Sequence, residues 1–339
     1  MESRAEFQKL KSLCPGIELR EQEPLRAHTS FQIGGPAALM AFPKTPGELQ
    51  RLLMAARECG VRLRVLGAGT NVLAPDAGLP ELVICTRGCL LGLRLLDGGR
   101  LEAMAGETLS RAAVFAREHA LTGLEFAHGI PGTVGGGVYM NAGAYGGELA
   151  QIAVETTVLL TDGTQRVLRG EAQAFGYRTS AFEKLDCVIV KTVFELRPGD
   201  PGQIQARMRE LMEKRRASQP LELPSAGSTF KRPQGAYAGA LIERAGLKGK
   251  GVGGAQVSEK HAGFVVNTGG ATASDVLQTI RMVQDRVFED SGSSRRSASG
   301  RREKCSLLLY PAFPARERAR PQRIWRISAF TAWTICPPK

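Results

Sequence analysis

The sequence predicts an α+β protein of two domains. Its 339 residues are enough to bury two separate cores. Hairpin and helix patterns are interspersed, without the strict strand–helix–strand alternation of a doubly wound sheet. The Pro/Gly-dense stretch Arg197-Pro198-Gly199-Asp200-Pro201-Gly202 reads as a boundary between the halves.

The elements follow in chain order. Thr45 caps a helix over 45–60, with Pro46 in its first turn, Glu48 closing a capping box and Gly60 ending it. Leu49, Leu52, Leu53 and Ala56 form its apolar face. Residues 61–69 alternate as a strand that breaks at glycine, and 79–86 read as a second strand. A helix covers 108–121. A hairpin covers 154–168, with Asp162-Gly163 as its turn. Residues 186–196 form a buried strand. Beyond the boundary, a helix over 203–220 ends before Pro220. The 263–292 stretch is a strand, a glycine turn and a helix. That helix is capped within Ala271 to Ser274 and striped by Val276, Ile280, Val283 and Val287. The division is an N-terminal segment 1–22, a first domain 23–198, a second 199–292 and a tail 293–339. No internal repeat is present.

Composition is globular, at 43% hydrophobic and 23% charged residues. The net charge of +12 is local to the tail. Residues 291–339 carry eleven Lys and Arg against Glu303 and Glu317, so the rest has a surplus of only three. The body carries no nucleic-acid signature, and no nucleic-acid partner is expected. No apolar run reaches membrane-spanning length, and the charged N-terminus lacks a signal core. A cytoplasmic monomer is expected. The seven cysteines form no CxxC pair, which fits reduced thiols and no metal site.

Four motifs carry chemistry. In the first, the strand at 61–66 runs into Gly67-Ala68-Gly69-Thr70-Asn71. Here bare backbone can approach a pyrophosphate, and Thr and Asn add donors. It lacks the third glycine of a Rossmann fingerprint. Ordinary turns also use these residues.

The second motif is the stretch from His128 to Gly147, with eight glycines in twenty residues. It has no Gly-Lys-Ser/Thr ending, so it is not a P-loop. Gly129, Ile130, Pro131, Gly132, Gly135 and Gly136 offer a path for backbone against a flat or anionic ligand, with Asn141 as a polar contact. The competing reading is a glycine-rich turn between a helix and a strand. Two such loops in one domain favour a dinucleotide.

The third motif, 175–182, holds Arg178 between Tyr177 and Ser180, as a fixed cation or as an ordinary surface arginine. The fourth, 224–233, sets Ser228 among small residues with Lys231 three positions on. There is no GxSxG elbow and no His nearby in sequence, so a hydrolase triad is unsupported.

Taken in order, "HTSFQIGGPA", "LGAGTNVL", "GIPGTVGGGVYMNAGAYG", "GYRTSAF", "QPLELPSAGSTFKRP" and "GLKGKGVGGAQVSEKHAGFVVN" resemble the UDP-N-acetylenolpyruvoylglucosamine reductase family, in its shorter form. The likeness runs from about Pro24 to Gly292. It implies a two-subdomain FAD-binding domain of the vanillyl-alcohol-oxidase (PCMH) kind and a smaller α+β substrate domain. It also implies non-covalent FAD, NADPH as hydride source, and the enolpyruvyl ether of UDP-N-acetylglucosamine as substrate. Gly67, Gly69, Thr70 and Asn71 would hold FAD from one side and the 129–141 residues from the other. Arg178 would stabilise the enolate and Ser228 would supply the proton. Tyr177, Arg216, Lys231, His261 and Asn267 would contact substrate or NADPH.

One departure stands out. The family carries a catalytic glutamate on a closing strand after the last helix, and no such strand is expected here. Composition changes abruptly near Gly292, which points to a shifted reading frame. A genuine basic extension is the competing reading. The alternatives to the reductase are another FAD enzyme of the same fold and an FAD-binding remnant without turnover.

Overall fold

The structure is a computed structural model that describes residues 4–292, apart from Arg232, Gln234 and Gly235, together with 325–326. The chain divides into two compact units. One takes the described residues of Met1–Pro24, Pro36–Gly69 and Gly78–Ala217, the other those of Leu25–Gly35, Thr70–Ala77 and Ser218–Lys339. This departs from a single cut at 198/199, and side-chain burial gives the reason. Ile204, Met208 and Leu211, beyond that cut, belong to the first core. Phe31, Ile33 and Leu73, well before it, belong to the second.

The first unit contains two sheets. The smaller has the strand order Glu18–Pro24, Pro36–Phe42, Leu79–Cys85, Leu63–Leu66. Its first pair is antiparallel and the others are parallel. Two helices accompany it, α1 (Arg4–Leu13) and α2 (Pro46–Glu58), tied together by a 2.9 Å Lys9–Glu58 ion pair. α2 begins where its sequence signals place it. Thr45 Oγ1 accepts the Glu48 N–H at 3.1 Å, and the Glu48 carboxylate accepts the Lys44 N–H at 2.7 Å. The reciprocal bond thus reaches one residue further back than in a standard capping box.

The larger sheet is antiparallel, in the order Gln165–Arg169, Ala153–Leu160, Cys187–Glu195, Arg100–Met104, Leu93–Leu96. Its outer hairpin turns at Asp162-Gly163. Gly163 takes φ 84°, and the Asp162 carboxylate accepts the Thr164 N–H at 2.8 Å. α3 (Leu109–Glu118) and α4 (Val134–Tyr139) belong to this half, and α4 contacts the strand 187–195. α5 (Pro201–Ser218) completes the unit.

The second unit is a four-stranded antiparallel sheet in the order Ser225–Ser228, Phe264–Asn267, Ala255–Val257, Gly251–Val252, with α6 (Ala238–Arg244) and α7 (Ala273–Gly292). Val276, Ile280, Val283 and Val287 of α7 are all buried, as their spacing requires. The α7 N-terminus is capped from far away in sequence. The Asp76 carboxylate accepts the N–H groups of Ala273 and Ser274 at 2.7 and 3.1 Å.

Beyond α7 the described residues include one short strand, which carries no glutamate and so does not replace the expected closing strand. Trp325–Arg326 pairs antiparallel with Val72–Leu73, Trp325 opposite Leu73 and Arg326 opposite Val72. The Val72–Leu73 edge gives the tail backbone a partner, and such edges template pairing whatever the incoming sequence. Glu303 and Glu317 lie outside the described residues. Among the described residues, no helix is long and apolar enough to cross a membrane, and no group of three His, Cys, Asp or Glu stands ready for a metal.

Candidate functional site

The glycine-rich stretch forms a helix. α4 has the sequence Val-Gly-Gly-Gly-Val-Tyr and starts at Thr133, whose Oγ1 accepts the Gly136 N–H at 3.2 Å. Each glycine costs a helix roughly 1 kcal/mol relative to alanine, so packing must offset the penalty. It does so on one side. A Cβ on Gly135 would sit 2.8 Å from the Ala105 Cβ, and one on Gly137 would sit 3.0 Å from a Leu109 methyl. Gly135 is buried, and its N–H is spent on the Ala105 carbonyl at 2.9 Å. Packing is therefore what excludes a side chain there, independently of any ligand. Gly136 lies on the open face and is exposed.

The two glycine loops come together. A Cβ on Gly67 would stand 2.6 Å from Thr133 Oγ1. Gly69 turns the chain with φ 63° before Thr70 and Asn71, both half-buried. Gly132 takes φ 149°, Ile130 packs against the first core and Pro131 is exposed. Near the start of the stretch, a Cβ on Gly129 would lie 2.8 Å from Arg215 Nε.

That neighbour, adjacent to the expected Arg216, is the buried cation of α5. α5 carries Arg215 inward, at 7% exposure, and leaves Arg216 exposed. The Arg215 guanidinium lies 5.6 Å from the Tyr145 ring centre, and burial lowers its pKa. The spacing 204, 208, 211, 215 was the available signal, since it places Arg215 on the helix's buried stripe.

Arg178 sits in a tight turn. Gly176 and Thr179 exchange backbone hydrogen bonds of 3.0 and 3.3 Å across Tyr177 and Arg178. Arg178 has φ 59°, a left-handed conformation that costs a non-glycine residue on the order of 1–3 kcal/mol. Its Nη2 donates to the Gly143 carbonyl at 3.0 Å, and its guanidinium carbon lies 5.8 Å from the Tyr177 ring centre. Tyr177 itself is 57% exposed. Asn141, read from sequence as a ligand contact, is 2% exposed and bonded inward. Its Nδ2 donates to the Gly176 carbonyl at 2.9 Å, and its Oδ1 accepts the Ala150 N–H at 2.8 Å.

In the second unit, Ser228 is exposed at the end of its strand. Folding brings a histidine near it that the sequence does not. A Cβ on Gly263 would lie 2.9 Å from the His261 ring and 3.5 Å from Ser228 Oγ. His261 Nδ1 accepts the Gly263 N–H at 3.0 Å, and burial lowers its pKa. Lys231 is half-buried, and desolvation lowers its pKa as well. Asn267 is 7% exposed and committed to the fold. It donates to the Phe31 carbonyl at 3.1 Å and accepts the N–H groups of Gly269 and Ala271 at 2.9 and 3.2 Å. Its amide thus shapes the loop before α7, while the residue also lines a cavity with Arg26, Asp76 and Thr272.

Comparison with known proteins follows the same division. A family model described as an FAD binding domain matches residues 37–169. Another, described as the C-terminal domain of UDP-N-acetylenolpyruvoylglucosamine reductase, matches 219–294. A protein of that name from Limosilactobacillus reuteri is 46% identical over 279 residues, spanning 82% of this chain and 93% of the relative. The chain belongs to the UDP-N-acetylenolpyruvoylglucosamine reductase family. A Geobacillus kaustophilus relative of the same name is 42% identical over 291 residues, 84% of this chain and 93% of its own. The solved UDP-N-acetylenolpyruvylglucosamine reductase (MurB) of Thermus caldophilus superposes with a TM-score of 0.67 at 36% identity, covering 79% of this chain and 94% of that one.

The reductase-family assignment makes FAD the expected occupant of the first unit, and the backbone there fits it. Gly67 stands where any side chain would meet Thr133, and Gly129 where it would meet Arg215. These two glycines let the loops close onto Thr133 and Arg215, and bare backbone is left open to a flat, anionic cofactor at the exposed Gly136 of α4.

Proposed function

We propose that this protein is an FAD-dependent enzyme. It would use NADPH to reduce the enolpyruvyl ether of UDP-N-acetylglucosamine to UDP-N-acetylmuramate, in the cytoplasm, as a step in making peptidoglycan precursors. The observation that carries the reading is the Arg178 turn, held in a strained conformation and bonded to the segment that leaves the glycine helix. Strain of this kind persists where the surrounding structure enforces it for function.

In this reading, Gly67 to Asn71 and Gly129 to Gly132, with the open face of Gly136, hold FAD. FAD held there would supply hydride transfer from NADPH to the substrate's methylene carbon. The chain's own residues manage the charge that results. Arg178 offers its guanidinium to the carboxylate and the developing enolate. One good donor of this type is worth roughly 2.7–4 kcal/mol of barrier. Ser228 gives its hydroxyl proton to the α-carbon, completing the lactyl ether. A hydroxyl is a weak acid, so the cation of Lys231 near the alkoxide is part of the reading. Tyr177 and His261 contact the substrate or NADPH, and Arg215, rather than Arg216, supplies the buried cation for an anionic group.

The test is an anaerobic spectrum of the purified flavoprotein, titrated with NADPH and then with the enolpyruvyl substrate. Bleaching of the flavin and its recovery on adding substrate are the expected results. Bleaching without recovery selects the FAD-binding remnant, and a colourless protein that cannot be loaded with FAD overturns the reading.

A further inference from the structure

We propose that Asn141 is a positioning residue for Arg178, acting through the Gly176 carbonyl. The inference rests on the proposed reductase chemistry and deepens it. Three side-chain hydrogen bonds join residues 176–180 to residues 139–143. Asn141 Nδ2 donates to Gly176 O at 2.9 Å, Arg178 Nη2 donates to Gly143 O at 3.0 Å, and Ser180 Oγ donates to Tyr139 O at 2.7 Å. Asn141 and Ser180 are 2% and 3% exposed, so two of these bonds are shielded from water.

Each bond lands at a position that matters for the arginine. Gly176 is the first residue of the four-residue turn that carries Arg178. Its carbonyl accepts both the turn-closing Thr179 N–H and the Asn141 amide, so Asn141 fixes the plane of the peptide from which the turn starts. Tyr139 is the last residue of α4, the glycine helix. The left-handed conformation of Arg178, φ 59°, needs such outside support. Asn141 is itself left-handed, at φ 43°, a conformation that asparagine adopts readily. Its Oδ1 anchors the other end to Ala150 N–H at 2.8 Å. The amide is therefore a rigid strut between two backbone segments, and the guanidinium is set in place relative to the glycine helix.

Asn141→Asp is the selective test. The carboxylate keeps the acceptor for Ala150 N–H and loses the donor to Gly176. Rapid-mixing kinetics of the FAD-loaded protein should show flavin bleaching by NADPH at the wild-type rate. Flavin reoxidation by the enolpyruvyl substrate should slow by about 10- to 100-fold, the cost of a misplacement near 1 Å. In an Arg178→Ala background the same change should alter reoxidation by no more than about twofold, because two residues acting through one group do not add. Ser180→Ala should reproduce the pattern more weakly. Wild-type reoxidation in Asn141→Asp, or an undiminished further loss in the Arg178→Ala background, overturns the proposal. A crystal structure of Asn141→Asp tests the same point without any activity measurement. Displacement of the 176–179 turn is expected, and an unmoved turn overturns the positioning role even if the wild-type protein reduces no enolpyruvyl ether.

Discussion

Gly67 and Thr133 face each other across the two glycine loops of the first unit, so closely that a Cβ on Gly67 would lie 2.6 Å from Thr133 Oγ1. The same hydroxyl caps α4 through the Gly136 N–H. One contact thus couples the loop that ends the strand 63–66 to the start of the glycine helix. Gly67→Ala should force the loops apart, and the purified protein should carry much less FAD, read from flavin absorbance. Thr133→Val removes the cap at a cost of about 1 kcal/mol, read as a lower denaturation midpoint. Full FAD occupancy in Gly67→Ala would show that the close approach does not serve the cofactor.

Gly135 and Gly136 are neighbours with opposite expectations. Gly135→Ala drives a methyl to within 2.8 Å of the Ala105 Cβ, and overpacking of this kind costs typically 1–3 kcal/mol. Gly136→Ala meets only Thr133 Oγ1, at 3.3 Å, and removes a helix glycine, a gain of up to about 1 kcal/mol. If the exposed face of α4 receives FAD, Gly136→Ala should weaken FAD binding while the apoprotein melts no lower than wild type. Paired thermal melts and flavin titrations of the two variants separate packing from binding.

These glycines also mark where the sequence was legible and where it was not. The helix at Thr45-Pro46 and the turn at Asp162-Gly163 lie where their local signals put them, because a cap or a two-residue turn is decided by its own atoms. α4 was invisible for the opposite reason. Three consecutive glycines argue against a helix, and what overrides them is contact with Ala105 and Leu109, far away in sequence. The same holds for the α7 cap from Asp76 and for His261 beside Ser228. At Asn141 and Asn267 the residue type was informative and the partner was not. Each amide bonds to backbone that only the folded chain brings near. Arg216 was the arginine expected from the sequence, although the stripe of Ile204, Met208 and Leu211 extends to Arg215 and not to Arg216.

Arg215 and Arg216 provide a matched pair on one helix. On the proposed reading the inward guanidinium of Arg215 meets an anionic group, and a charged hydrogen bond of that kind is worth about 1.5–3 kcal/mol. Arg215→Met should therefore raise KM for NADPH or for the enolpyruvyl substrate by about 10- to 100-fold. Arg216→Ala, on the exposed side of α5, should leave both within about twofold. Steady-state kinetics with each substrate varied in turn will show which ligand the cation serves. Equal behaviour of the two variants would remove Arg215 from the site.

His261 sets a pH limit on the second unit. Burial holds its imidazole pKa below the ordinary 6.5, and the Gly263 N–H bond uses Nδ1 as an acceptor, which the protonated ring cannot offer. The folded state therefore binds fewer protons than the unfolded chain between the two pKa values. The stability tied to this group is complete above pH 6.5 and is lost as pH falls toward the folded value. His128, also lowered by burial, adds to the slope in the same direction from the first unit. Urea unfolding at about pH 7.5 and about pH 5.5 should show a lower midpoint in acid. His261→Gln keeps an acceptor for Gly263 without a titrating ring, so it should flatten the acid loss. Persistence of the full loss in a His128→Asn, His261→Gln double variant would assign the acid sensitivity to other groups. A histidine resonance titrating at or above 6.5 would show that His261 is not held neutral by its burial beside Phe264, whose ring centre lies 5.0 Å away.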